Sequence, residues 1–349
     1  MKNFSLVVLN MLFVAFLFSS CNSNDNPTPA SNKSYSKVTT LAGSGLPNLS
    51  EDGVGILATF WNISDLVADS KGNLFVVEWG AGKIRKITPA GVVTTFISFA
   101  SPIYFGGGIT IDASDNLFVA EAGLNKILKI TPASVITTVT GTGVAGNTDG
   151  DVSQASFNHP SDVTVDTSGN LYVVDSGNYK IRKITPAGLV STFAGNGTEG
   201  NAEGIGVLAS FSQLTNITID TSNNIYVSDT FNNNTIRKIT PAGVVTTLAG
   251  GATPLNNDGV GSNAGFYSPK GITIDKLGNL YVAEYFGNKI RKITPLGVVT
   301  TFAGTGMSGG LDGLIATATF GRPWGVAIDN SGNIFVADNQ SKIRKIAYE

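Results

Sequence analysis

Apolar and polar positions along this chain fall into one pattern that recurs six times. A short apolar run is followed by Asp, a small polar turn usually ending Gly-Asn, and a second apolar run that ends in an acid. After a short loop comes Lys-Ile-Arg-Lys-Ile-Thr-Pro or a near copy. The copies align on Asn73, Asn116, Asn170, Asn224, Asn279 and Asn333, with successive spacings of 43, 54, 54, 55 and 54 residues. A period of this length marks an array of equal structural units.

Each copy reads as four strands. In the third, Asp162 to Val165 is the first strand, Asp166 to Asn170 a tight turn, Leu171 to Val174 the second, Lys180 to Ile184 the third and Leu189 to Phe193 the fourth. Gly and Asn suit the positive φ of hairpin turns. Thr185-Pro186-Ala187-Gly188 has Pro second and Gly fourth, as a type I turn prefers. The second strands are continuously apolar, so both faces of each small sheet need cover, which radial stacking of the sheets supplies. Lys and Arg of the third strands are expected to lay their methylene stems on the next unit. The last copy stops after its third strand, while Val38 to Gly43 near the start is a fourth strand without the first three. Pairing these ends closes a ring and removes a free sheet edge. The expected fold is all-β: a six-bladed β-propeller of four-stranded blades, closed by joining a strand at about 38–43 to the C-terminal blade.

The course from Phe320-Gly321-Arg322-Pro323-Trp324-Gly325-Val326-Ala327-Ile328-Asp329 through Ile346 resembles the NHL-repeat family of propellers, and the likeness extends over about residues 38–349. That resemblance implies the fold. It leaves activity open, because such propellers serve as protein-binding, RNA-binding and enzymatic scaffolds.

Composition adds a location. The chain has 349 residues, 42% hydrophobic and 14% charged, with a formal charge of -2. This acidic balance speaks against electrostatic capture of nucleic acid. Lys2 precedes an apolar stretch from Leu6 to Phe18, too short for a comfortable span but suited to a signal peptide over residues 1–20. Ser19 and Ser20 then precede Cys21, the only cysteine. This arrangement resembles a bacterial lipobox, with Phe18 where Leu is usual, and implies lipidation of Cys21. Residues 21–36, rich in Asn, Ser and Pro, read as a tether to the propeller at 37–349. The expectation is an exported protein of the bacterial cell envelope, lipid-anchored and facing the periplasm or the surface.

What every copy repeats reads as scaffold; what varies at one position is a candidate site. The turn acids Asp69, Asp112, Asp166, Asp220, Asp275 and Asp329 read as scaffold. So do Glu78, Glu121, Asp175, Asp229, Glu284 and Asp338 at the ends of the second strands. Arg85, Arg182, Arg237, Arg291 and Arg344 are their expected partners. The second copy has Leu128 instead, so Glu121 stands out. Between copies, linkers repeat Gly-X-Gly, Asp-Gly and Ala-X-Phe and read as ordered turns. The second copy lacks this loop, which predicts a notch between blades one and two.

Three varying columns enter the innermost strand. They hold Asn62, Phe105, His159, Gln213, Ser268 and Arg322; then Ser64, Gly107, Ser161, Thr215, Lys270 and Trp324; then Asp65, Gly108, Asp162, Asn216, Gly271 and Gly325. Mixed donors, acceptors and aromatics of this kind suit a pocket mouth. The leading expectation is a binding module taking a protein or glycan on the channel face, without cofactor, through Trp324, Arg322, Lys270, His159, Gln213, Asn62, Asp65, Asp162 and Glu121. The alternative rests on six-bladed relatives that are calcium-dependent lactonases, zinc-dependent amidating lyases or streptogramin lyases. A single histidine, His159, serves the zinc chemistry poorly. A calcium site would draw on Asn62, Asp65, Asp162 and Asn216.

Overall fold

The computed structural model describes residues 34–99, 107–251 and 253–348. Six antiparallel sheets follow one another along the chain. Blade one comprises Ile63–Ala68, Leu74–Glu78, Lys83–Ile87 and Val92–Ser98, from the innermost strand outward. Blade two comprises Ile109–Ile111, Leu117–Glu121, Lys126–Ile130 and Ile136–Thr140. Blade three has Pro160–Val165, Leu171–Asp175, Lys180–Ile184 and Leu189–Ala194; blade four has Gln213–Ile219, Ile225–Thr230, Thr235–Ile239 and Val244–Gly250. Blade five has Pro269–Ile274, Leu280–Glu284, Lys289–Ile293 and Val298–Ala303.

Blade six closes the ring as expected. Its inner strands Pro323–Ile328, Ile334–Asp338 and Lys342–Tyr348 are completed by Tyr35–Ala42, with Val38 opposite Ile346 and Thr40 opposite Arg344. The closing strand begins at Tyr35, so the last residues assigned to the tether belong to the sheet. Tyr35 earns its place by packing edge-on against Phe302 at 4.9 Å. The signal peptide and Cys21 lie outside the described residues.

The Asp-Gly linkers are more than turns. Gly53–Val54, Gly150–Asp151, Gly204–Ile205, Gly259–Val260 and Gly313–Leu314 are two-residue strands, each pairing with the outermost strand of the blade whose inner strand follows. They cover edges that would otherwise expose unpaired backbone groups. Blade two, whose linker is short, has no fifth strand among the described residues. The expected notch falls on residues 100–106, outside them.

Second strands are buried along their whole length, as their unbroken apolar runs require. The lysine at the fourth position of the third strand sets its ammonium over an aromatic ring of its own blade in blades one to five. Lys183 Nζ sits 5.5 Å from the Tyr172 ring, its cross-strand neighbour. Packing between blades falls to apolar side chains, as where Val174 and Ile181 of blade three meet Phe211, Leu214 and Val227 of blade four.

Candidate functional site

The repeated acids are scaffold. In each turn one Asp carboxylate gathers the following backbone: Asp166 Oδ1 accepts from the N–H of Ser168 and Asn170, and Oδ2 accepts from the Asn170 amide. The acids ending the second strands pair with arginine wherever it is present. Fully buried Arg182 donates to Asp175 at 2.8 Å, to linker Asp149, and to the carbonyls of Ser156 and Thr148. Its guanidinium lies 5.1 Å from the ring of Phe157, the Phe of the Ala-X-Phe linker. Arg85, Arg291 and Arg344 repeat the arrangement with Asp52, Asp258 and Asp312. One arginine therefore ties linker to blade, and blade two has lost both the linker and the arginine. Glu121 is left buried, accepting the Leu124 N–H, and burial pushes its carboxyl above the ordinary value.

The second and third columns stitch blades together in half of the ring. The hydroxyls of Ser64, Ser161 and Thr215 donate to the carbonyls of Gly107, Leu214 and Lys270 in the next blade. Just beyond, Asp65 accepts from Ile109 N–H at 3.1 Å, Asp162 from Ile217 N–H at 2.8 Å, and Asn216 from Ile272 N–H at 2.8 Å. Blades two, five and six carry glycine at the third column because neighbours press on it. A Cβ on Gly325 would stand 2.7 Å from Ser64 O, and one on Gly108 would stand 1.9 Å from Asp162 Oδ1.

Asp65, Asp162 and Asn216 meet at a narrow cavity of about 120 Å³ on the axis, walled by the inner strands. Burial pushes Asp65 up to about 7; burial, reinforced by the Asp65 charge, pushes Asp162 well above its ordinary value. Asn62, half-buried, is not among the lining residues. These residues do not fit a calcium site. The Asn216 amide oxygen is engaged by Ile272 N–H and its nitrogen turns to Asp65 at 3.3 Å. Both carboxyls hold backbone N–H groups, whereas calcium takes six to eight oxygen ligands. No group of three His, Cys, Asp or Glu suited to a metal occurs among the described residues.

The first column is defined by its backbone. Asn62, His159, Ser268 and Arg322 are left-handed, with φ of +55°, +49°, +60° and +57°. Three of them precede proline, where a helical backbone is disfavoured. The cost is offset by a clamp from the preceding blade: Asn125, Asn234 and Asn288 accept the N–H groups of His159, Ser268 and Arg322 at 2.8, 3.1 and 2.9 Å. His159 and Gln213 come together in a cleft of about 370 Å³, with Tyr179, Glu199, Ser212 and Phe231.

On blades five and six the columns turn from stitching to display. Trp324 packs edge-on against Tyr285 at 5.4 Å, Tyr285 against Phe286 at 4.9 Å, and Phe286 lies 5.2 Å from Tyr267. Phe286 and Tyr267 are 47% and 44% exposed, so the cluster is open. Lys270 Nζ lies 5.2 Å from the Trp324 centroid, and the Arg322 guanidinium 5.9 Å from both Tyr285 and Phe286. The structure thus joins Trp324, Arg322 and Lys270 in one aromatic and cationic surface and keeps His159 and Gln213 in a separate cleft. The columns missed Tyr267, Tyr285 and Phe286. The last two sit in the loop after the second strand, which differs between blades, and that variation was the available signal.

Comparison with known proteins agrees with this architecture. The NHL repeat model matches residues 157–184 and 320–342. The protein is a six-bladed β-propeller in which these two segments match the NHL repeat. It is 30% identical over 243 residues to human NHL repeat-containing protein 2, covering 60% of this chain and 33% of that one. The chain spans no more than a third of the length of the curated relatives it matches. A Bacteroides thetaiotaomicron protein of unknown function superposes with a TM-score of 0.74 at 24% identity, over 90% of this chain and 76% of that one. An auxiliary nutrient binding protein from the same organism superposes with a TM-score of 0.69 at 20% identity, over 91% and 77%.

Proposed function

We propose that this propeller is an exported, lipid-anchored binding module of the bacterial cell envelope that takes a saccharide on the channel face of blades five and six. The observation that carries the reading is the open cluster of Trp324, Tyr285, Phe286 and Tyr267 flanked by Lys270 and Arg322. Aromatic faces offer flat apolar area at low entropic cost, and sugar rings present matching apolar faces. Between the protein and glycan arms of the expectation, a compact patch built on one pair of blades favours the glycan. A stable protein partner would cover about 800 Å² on this side. The solved propeller named as an auxiliary nutrient binding protein is consistent with such a role. Export and anchoring rest on Lys2, the stretch from Leu6 to Phe18, and Cys21.

A glycan array probed with the purified chain, alongside Trp324→Ala and Arg322→Ala, tests this reading. Removing the indole is expected to weaken binding at least tenfold, in line with about 1.5 kcal/mol or more for a stacked aromatic. Ligands that bind both variants as well as the wild type would place the site elsewhere. Capture of proteins alone would favour the other arm.

A further inference from the structure

Cations in this chain divide into two kinds. The third-strand arginines are buried, and each is paired with the acid that ends its second strand. Lys270 and Arg322 take part in no ion pair among the described residues. Lys270 stands at the position where Ser64, Ser161 and Thr215 stitch to the next blade, yet it performs no such stitch among the described residues. Burial pulls its ammonium down to about 8, and no counter-charge among the described residues restores it. Its ammonium lies 5.2 Å from the Trp324 ring centroid. Half-burying a lysine without an acid is costly, and a chain with 25 acidic residues had carboxylates available to neutralise it. The neighbouring blade six supplies Trp324 instead, and a second cation, exposed Arg322, which lies over Tyr285 and Phe286 of the blade that carries Lys270.

We infer that the ligand of this face is an anionic saccharide, a uronic-acid-containing glycan whose carboxylate is received by Lys270 and Arg322 while its ring rests on the aromatic cluster. This rests on the saccharide reading above and gives it a substrate class. A free inorganic anion would use the cations but leave Tyr285, Phe286 and Trp324 without a role. A neutral sugar would use the rings but leave Lys270 desolvated and unanswered. Only a ligand with both features engages the whole surface. The anion would also raise the Lys270 pKa again, so binding should take up protons from solution near pH 8.

Calorimetry on the full chain with trigalacturonate and with neutral galactotriose, at pH 7 and low salt, tests the inference. Trigalacturonate is expected to bind roughly ten- to hundredfold tighter, the range for charge-assisted hydrogen bonds. Lys270→Met, close in volume, and Arg322→Gln, at an exposed position, should each lower the ratio of the two affinities. Melting curves of both variants separate loss of charge from loss of fold. Equal affinity for the two trisaccharides, or no uronate binding, overturns the inference. If galactotriose binds and Trp324→Ala abolishes that binding, the saccharide site stands and only its anionic character fails. If Trp324→Ala changes nothing, the site itself is wrong.

Discussion

Asp65→Asn isolates the electrostatic cost at the centre of the ring. Asp65 and Asp162 line one buried cavity, and the charge of Asp65 opposes ionisation of Asp162. Both folded-state pKa values lie above the unfolded ones. From about pH 4 up to about 7, the folded chain therefore retains protons that the unfolded chain has released, and this pair loses stability as pH rises. A rise from 3.8 to about 7 for Asp65 corresponds to about 4 kcal/mol at 1.36 kcal/mol per pH unit. Asparagine can still accept the Ile109 N–H, and it removes one ionisation and the repulsion on its partner. Other acids act in the opposite sense. Asp52, Asp149, Asp258 and Asp312 lie below their ordinary values because hydrogen bonds from arginine and threonine outweigh their partial burial. The informative quantity is therefore the difference between variant and wild type. The same arithmetic puts about 2 kcal/mol of that cost in place by pH 5, so urea unfolding followed by circular dichroism should show the variant's advantage growing by about 2 to 3 kcal/mol between pH 5 and pH 8. The same difference at both pH values would refute the reasoning.

Arg182→Leu places in blade three the residue that blade two already carries at Leu128. It leaves Asp175 buried without its counter-ion, so urea unfolding should show a loss of about 3 to 5 kcal/mol; adding Asp175→Asn should recover part of it, and a neutral single substitution would contradict the tie between linker and blade. Cys21→Ser should move the chain from the membrane pellet to the soluble fraction on cell fractionation. Continued membrane retention would remove the lipid anchor from the proposal.

The propeller was legible because its constraints repeat. Six copies of one turn, with Asp and Asn at fixed offsets, each produce the same local hydrogen bonds, and the partial blades at the two ends leave one economical closure. The two-residue fifth strands were not legible, since Gly53–Val54 and its equivalents are too short to carry an alternation. Their signal was indirect: blade two lacks the linker and the strand-three arginine together, because that arginine ties one to the other. The binding surface was half legible. Column variation found Trp324, Lys270 and Arg322, but it could not distinguish them from Ser64, Ser161 and Asp162, whose variation serves contacts between blades. Only distances separate display from stitching. Tyr285 and Phe286 escaped because loop residues hold no fixed register along a repeat.

Diffraction from crystals of the chain grown with trigalacturonate places the ligand directly. A uronate ring against Trp324 or Tyr285, with its carboxylate about 2.7–2.9 Å from Lys270 Nζ or the Arg322 guanidinium, is the expected result. A sugar seated instead in the cleft lined by His159 and Gln213, or bare aromatics at saturating ligand, would contradict the assignment of blades five and six as the binding face.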